Sequence, residues 1–195
     1  MSASGHETEI KLSMSDSAHA RKLLRTAGFR VYRRRVFEAN TVFDTLHCLL
    51  REAQQLLRVR QAGRTVTVTY KGTPEVSRHK SREELEVEAS DAAAVTRIFD
   101  RLGFQPVFRY EKYRTEYRKG QRGGIAMVDE TPIGTFIELE GEAEWIDRTA
   151  RRFGFREEDY ITASYGRLYL NWCTENGIEP GDMVFGRKLV QRKPS

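Results

Sequence analysis

Cysteine is scarce: Cys48 and Cys173 are the two in 195 residues. Two lone thiols build no disulfide framework and match no metal-ligand spacing. Histidine is nearly as thin, with His6, His19, His47 and His79 scattered along the chain. A zinc site is therefore not expected. Met1 to His6 lacks the apolar core of a signal peptide. No apolar run approaches the roughly 18 residues that a membrane-spanning helix needs. The expectation is a soluble, cytoplasmic protein with no membrane contact.

Charge is abundant. Lys and Arg number 33 and Asp and Glu 28, a net charge of +5, and charged residues make up 31% of the chain. The positive excess favours anionic partners without choosing among nucleic acid, phosphorylated metabolites and acidic surfaces. Hydrophobic residues, at 39%, suffice for one core in a chain of this length.

The periodicity alternates between strands and capped helices. Glu7-Thr8-Glu9-Ile10-Lys11-Leu12 places charge at every second position, so in a strand Glu7, Glu9 and Lys11 share one face. Ser15-Asp16 reads as an N-cap, followed by the stripe Ala20, Leu23, Leu24 and Ala27, with Gly28 closing the helix. Phe29 to Asp44 is extended and contains Arg33-Arg34-Arg35, a solvated strand edge or a phosphate contact. Thr45 to Ala53 is a helical turn or loop. Residues 57–60 and 65–71 alternate strictly, and the break at Gly63 predicts a hairpin. Lys80 to Ala89 is a strand with Arg82, Glu84, Glu86 and Glu88 in phase. Ser90-Asp91 caps a helix carrying Val95, Ile98, Phe99 and Leu102, closed by Gly103.

Pro106 to Arg118 is extended, and Gly120 to Gly124 is a connection whose glycines match no phosphate-binding fingerprint. Residues 125–129 and 135–142 form the last strand pair. A helix with Ile146, Ala150 and Phe153 ends at Gly154, and Ala163 to Glu175 is another. Residues 1–176 read as a single domain. Residues 177–195 read as a basic tail with little structure of its own.

An internal repeat runs through this pattern. Glu9-Ile10-Lys11, Ser15-Asp16 and Gly28-Phe29 recur 75 positions later as Glu84-Leu85-Glu86, Ser90-Asp91 and Gly103-Phe104. A looser third copy runs from Glu140 to Gly154-Phe155. A constant offset points to a duplicated, pseudo-symmetric sheet.

Charges segregate by strand. Glu7/Glu9, Glu84/Glu86 and Glu138/Glu140 are acidic pairs at i, i+2, while Arg58/Arg60 and Lys112/Arg114 are basic pairs at the same spacing. Any one such strand is ordinarily a half-buried strand with a wet polar face. Like carboxylates side by side repel, and the penalty grows as water leaves unless a cation sits between them. The apolar alternates Ile10, Leu12, Val59, Val66, Val68, Leu85, Val87, Ile137 and Leu139 point the other way and require cover from the helices. About eight antiparallel strands closed with the charges inside would form an ionic tunnel. A phosphate chain with a divalent cation suits such an interior.

Glu7-x-Glu9-x-Lys11 resembles the ExExK signature of the CYTH superfamily, the triphosphate tunnel metalloenzymes. Members include class IV adenylate cyclases, thiamine triphosphatases and inorganic triphosphatases. The resemblance extends through Asn40-x-x-Phe43-Asp44, Leu57-Arg58-Val59-Arg60, Thr69-Tyr70-Lys71-Gly72 and Arg82-x-Glu84-x-Glu86. It continues through Lys112-Tyr113-Arg114, Asp129, Gly134-Thr135-Phe136 and Glu138-Leu139-Glu140. Ser164-Tyr165-x-x-Leu168 is similar to the C-terminal helix of the cyclase-like branch, and the whole covers residues 7–172.

The resemblance implies an α+β fold: an eight-stranded antiparallel barrel with helices packed outside. It implies Mg²⁺ or Mn²⁺ and a small-molecule triphosphate substrate. Glu7, Glu9, Glu138 and Glu140 would be metal-side carboxylates with Asp129 assisting, and Glu7, Glu9 and Lys11 would serve catalysis. Lys11, Arg58, Arg60, Lys71, Lys112 and Arg114 would hold phosphates, with Glu84 and Glu86 as supporting acids. Glu88 shares their phase, which leaves that register open. Glu38-Ala39-Asn40-Thr41-Val42 departs from the family's usual Gln-x-Asp.

The leading expectation is hydrolysis of a phosphoanhydride bond, ahead of cyclisation of ATP to cyclic AMP and pyrophosphate. A non-catalytic polyphosphate or RNA binder is the alternative of another class, using Tyr32, Arg33, Arg35, Tyr110 and Tyr113. The three acidic pairs oppose it, so nucleic acid is not the expected partner. A homodimer is left open.

Overall fold

A computed structural model describes residues 3–75, 77–120 and 123–191. Gln121 and Arg122 of the expected glycine-rich connection, and residues 192–195 of the tail, lie outside the described residues. The chain runs β1 (Ala3–Met14), α1 (Ser17–Thr26), β2 (Arg30–Thr45), α2 (Leu49–Glu52), β3 (Leu56–Ala62), β4 (Thr65–Lys71) and β5 (Lys80–Ala89). It continues with α3 (Ala92–Arg101), β6 (Phe104–Arg118), β7 (Ile125–Thr131), β8 (Gly134–Glu140), α4 (Ala143–Arg152) and α5 (Tyr165–Glu175). The strands close a barrel in the order β1-β5-β4-β3-β2-β6-β7-β8, and every adjacent pair is antiparallel.

Local chemistry sets the helix ends. Asp16 accepts from the His19 backbone N–H at 2.8 Å, and Asp91 accepts from Ala93 and Ala94 at 2.8 and 3.0 Å. Gly28 and Gly103 both take φ +87, the left-handed conformation that ends a helix cheaply only at glycine.

The 75-residue repeat is built into the sheet. Glu7 on β1 lies opposite Arg82 on β5, its own repeat position. On the far side of the barrel, Glu38 lies opposite Lys112 and Phe37 opposite Tyr113. A pseudo-two-fold axis passes between the two halves.

The core lies outside the barrel wall, because the inward side chains are ionic. Ile10, Leu12, Leu24, Ile137, Leu139 and Ile146 are fully buried where α1 and α4 cover β1 and β8. Phe43, Val59 and Val66 pack against Val95 and Phe99 of α3, with Val68 half-buried beside them. Tyr110, Phe136, Tyr165, Tyr169 and Cys173 form a third cluster under α5.

Two expectations are corrected. Leu85 and Val87 were expected beneath a helix, yet they are 41% and 55% exposed. α3 packs towards β3 and β6 and, among the described residues, no helix packs comparably against β5. The tail has no helix or strand of its own among the described residues, but it is docked. Ile178 and Met183 are buried, and the Met183 backbone pairs with Arg109 and Glu111 at 2.9 Å. Arg187 donates to the Tyr169 hydroxyl and the Asp182 carbonyl. Two apolar side chains in a Gly, Pro and Arg-rich stretch anchor it. Among the described residues, no helix is long and apolar enough to cross a membrane.

Candidate active site

The barrel encloses a cavity of about 410 Å³. Ten Lys or Arg and seven Glu line it, an excess of three positive charges that suits an anion. Strict alternation puts them there: residues 7, 9 and 11 of β1, 58 and 60 of β3, and 82, 84 and 86 of β5 all face inward. Lys71, Lys112, Arg114, Glu138 and Glu140 join them. Every site residue expected from the sequence lines the cavity except Asp129. The open register of β5 is also resolved, since Glu84 and Glu86 line the cavity while Glu88 is exposed at the barrel end.

Strand order sorts the charges into walls. Glu7, Glu9, Glu138 and Glu140 occupy the adjacent strands β1 and β8, with Glu9 opposite Glu140 and Lys11 opposite Glu138. Around the closed order, β3 lies four strands from β8. The carboxylate wall therefore faces Arg58 and Arg60 across the tunnel.

Most of these charges are paired. Lys11 donates to Glu9 at 3.1 Å and lies 3.5 Å from Glu138. Lys80 donates to Glu9 at 3.2 Å. Lys71 bridges Glu7 and Glu84, the latter at 3.2 Å. Arg60 binds Glu86 at 3.2 Å and reaches Glu38 at 4.0 Å. Burial alone would lift the Glu9 carboxyl, but Lys11, Lys80 and Lys71 override it and hold Glu9 well below the usual carboxylate range. Burial pulls the Lys80 ammonium down to about 8 despite Glu9.

Three charged groups of the cavity form no ion pair among the described residues. Arg58 is buried and donates only to neutral oxygens, Tyr110 Oη and Thr69 Oγ1, both at 3.1 Å. Arg82 is buried and forms no ion pair or side-chain hydrogen bond among the described residues. Nε of each guanidinium lacks a partner. On the opposite wall Glu140 has no ion pair among the described residues. Burial, then Glu7 and Glu138, push its carboxyl up to about 7. Buried charges of this kind are costly unless something enters to pair with them.

Asp129 faces the barrel interior but is covered by its own partners and does not line the cavity. It is fully buried and accepts Arg114 Nε at 2.7 Å and Nη2 at 2.6 Å, Lys112 at 2.9 Å, and the Tyr165 hydroxyl at 2.7 Å. Burial would raise its carboxyl, but Arg114 and Lys112 hold it far below the usual range. The geometry makes it the anchor of two cavity cations. Asp44, from the Asn40-x-x-Phe43-Asp44 stretch, is likewise structural and accepts the backbone N–H groups of Thr45, Leu50 and Arg51.

The structure adds Lys80 and Arg82 to the cavity, together with Tyr110, Tyr165 and, at the mouth, Tyr32, Arg33 and Arg118. Counting back by two from Glu84 reaches Arg82 and Lys80, so that signal was present in the sequence. Tyr165 comes from α5, and Lys11 and Lys112 sit over its ring at 5.2 and 5.1 Å. No periodicity announces such a contact. Of the basic triplet, Arg33 reaches the mouth, while Arg35 binds Glu130 at 2.9 Å and stacks 3.5 Å from the Tyr113 ring.

The strands thus form a closed antiparallel barrel with an ionic interior and an apolar exterior. The CYTH domain family model matches residues 5–165, and the chain belongs to that family. The candidate adenylate cyclase MJ0240 of Methanocaldococcus jannaschii is 33% identical over 135 residues, 69% of this chain and 75% of that protein. The PH1819 protein of Pyrococcus horikoshii OT3 is 25% identical, with a TM-score of 0.72 over 85% of this chain and 99% of that one. HpAC1 of Hippeastrum, a candidate adenylyl cyclase described as having a dominant triphosphatase activity, is 23% identical. Its TM-score is 0.61 over 86% of this chain and 95% of its own.

Proposed function

We propose that this protein is a divalent-metal-dependent enzyme that takes a triphosphate into the barrel and hydrolyses a phosphoanhydride bond. The observation that carries this reading is the pair Arg58 and Arg82, two buried guanidinium groups without carboxylate partners, aimed into one cavity. A phosphate chain supplies the missing acceptors, and a guanidinium fork matches phosphate oxygens.

The donor set of the β1–β8 wall fits a hard cation. Glu7, Glu9, Glu138 and Glu140 offer only oxygen, as Mg²⁺ or Mn²⁺ prefers, and Glu140 lacks a cation. Among the described residues no three His, Cys, Asp or Glu are gathered into a ready-made cage. The carboxylates would have to exchange lysine contacts for the metal. When bound, the metal would offset phosphate charge and polarise the phosphoryl group.

The chain's own residues do the rest. Arg58, Arg60, Arg82 and Lys71 hold the phosphate oxygens in line. Lys112 and Arg114 are fixed by Asp129 and Tyr165, so they meet developing charge without reorganising. A carboxylate of the β1–β8 wall orients water towards the terminal phosphorus. The water oxygen bonds to that phosphorus and gives its proton to the carboxylate as the P–O bond to the bridging oxygen breaks, so orthophosphate is released and the shortened phosphate chain leaves with its new negative charge facing the cations.

A second reading, cyclisation of ATP with release of pyrophosphate, is favoured by the name of the M. jannaschii relative. Hydrolysis is placed first because it needs only the terminal phosphate, the metal and water. The description of HpAC1 points the same way. One assay separates them: incubation with ATP, tripolyphosphate and thiamine triphosphate, each with Mg²⁺ or Mn²⁺, with products resolved. Release of phosphate from tripolyphosphate supports hydrolysis. Cyclic AMP with stoichiometric pyrophosphate, and little phosphate from tripolyphosphate, would reverse the order. Binding that survives a chelator with no turnover of any substrate would favour a non-catalytic binder.

A further inference from the structure

Two buried tyrosines line the cavity, and their hydroxyl hydrogens are used differently. Tyr165 donates its hydrogen to Asp129 at 2.7 Å. Tyr110 accepts instead: its oxygen takes Nη1 of Arg58 at 3.1 Å. Nothing among the described residues accepts the Tyr110 hydrogen. A hydroxyl carries one donor and two acceptor sites, and the positive guanidinium turns that donor to the side away from Arg58. The Tyr110 side chain is buried, and a buried donor without an acceptor is costly. Its ring is fixed in place. Phe108 stacks on it with centroids 5.9 Å apart, and the Tyr165 ring lies at 6.2 Å. The backbone at Tyr110 bridges to Met183 of the docked tail.

We propose that Tyr110 is a substrate-contacting residue, whose hydroxyl donates to a phosphate oxygen of the bound triphosphate while its oxygen holds Arg58 beside it. The proposal rests on the triphosphate reading of the cavity. The acceptor has to arrive with the ligand, because no nearby carboxylate takes the hydrogen. Glu38, on the neighbouring strand, is drawn to Lys112 at 3.6 Å and Arg60 at 4.0 Å and makes no hydrogen bond to Tyr110. Asp129 is surrounded by Arg114, Lys112 and Tyr165. A phosphate oxygen accepts more than one strong donor, so one phosphoryl group can receive both Arg58 and Tyr110. The arginine supplies charge, and the tyrosine supplies a neutral donor that is already oriented, so binding needs no reorganisation of its ring.

The groups around the phenol make this contact sensitive to alkaline pH. Burial would raise its pKa, but Arg58 from β3 and Lys112 of β6 outweigh burial and hold it below the ordinary value of 10, with Glu38 from β2 opposing them. Tyr165 and Tyr169 of α5 share its cluster, and burial raises both of their phenols. Tyr110 is therefore the phenol of this cluster that ionises first as pH rises. Once ionised it has no hydrogen to donate, and its charge repels phosphate. The same ionisation would tighten its hold on Arg58, because a phenolate is the stronger acceptor. A donor to substrate and a mere support for Arg58 thus respond to pH in opposite directions.

The test is calorimetric titration of the metal-free full chain with tripolyphosphate, so that no turnover intervenes, at pH 7 and at pH 9.5. Wild type, Tyr110→Phe and Arg58→Ala are compared. Tyr110→Phe removes one oxygen and keeps the ring, and circular dichroism should show it folded. At pH 7 it should bind roughly 10-fold more weakly than wild type. At pH 9.5 that ratio should shrink, because the wild type loses its donor and the phenylalanine has none to lose. Equal affinity of the two at pH 7, or a ratio that holds or widens at pH 9.5, would overturn the proposal. Arg58→Ala separates this failure from that of the triphosphate reading. Weakened binding in Arg58→Ala with unchanged binding in Tyr110→Phe removes Tyr110 alone, whereas unchanged binding in both removes the triphosphate reading as well.

Discussion

Glu9 on β1 and Glu140 on β8 stand directly opposite each other, and among the described residues only Glu9 forms an ion pair. Glu9 is held by Lys11 and Lys80, while Glu140 is pushed towards protonation by burial, Glu7 and Glu138. This asymmetry makes Glu140 the wall carboxylate that tests the proposed metal site most directly.

Glu140→Gln is expected to lower turnover by about 10²–10³, the usual loss when a group organising transition-state charge is removed. The fold should survive, because the change is nearly isosteric and relieves like-charge repulsion. Steady-state turnover of tripolyphosphate in Mg²⁺ is the measurement, and full activity would refute the metal-side assignment.

The same residue makes apo stability depend on pH with a definite sign. Its folded pKa, about 7, lies above the ordinary 4.5. Between those values the folded state holds a proton that the unfolded chain has lost, so this contribution falls as pH rises through the window. In chelator, the Tm difference between Glu140→Gln and wild type should be small near pH 4.5 and grow to a plateau above pH 7. A pH-independent difference would show that the Glu140 carboxyl is not perturbed.

Arg58→Ala and Arg82→Ala should each weaken tripolyphosphate and ATP binding alike. A charge-assisted hydrogen bond is worth roughly 1.5–3 kcal/mol, or about 10- to 100-fold in affinity. Calorimetric titration measures it. Loss confined to ATP would move these arginines to the nucleoside.

Asp129→Asn should destabilise the protein by about 3–5 kcal/mol, because Arg114 and Lys112 would be left buried without their counter-charge. Urea denaturation gives the number. An unchanged midpoint would mean that Glu138 and Glu38, at 2.8 Å from Arg114 and 3.6 Å from Lys112, suffice alone.

The barrel was legible because its charges repeat every second residue while the apolar alternates face outward, a pattern that only an ionic interior explains. Eight strands, the caps at Asp16 and Asp91 and the hairpin at Gly63 all follow from local rules. Asp129 was legible as important but not as an anchor. It lies in inward phase beside Arg114, and only packing shows that Arg114, Lys112 and Tyr165 reach it before any ligand can. Tyr165 was visible only through the family resemblance, as it enters the tunnel from a helix 36 positions away from Asp129.

The sequence by itself determined which side chains point inward, since a strand's two-residue period is set by the backbone. It also determined the duplication, since the 75-residue offset is covalent. Tertiary structure alone decided which inward charges satisfy one another and which are left over. Neutralisation depends on distances across the closed barrel, where β8 meets β1 from opposite ends of the chain. It also decided that α4 covers β1 while Leu85 and Val87 of β5 stay exposed, because a helix that docks on a distant strand leaves no mark in the periodicity of that strand.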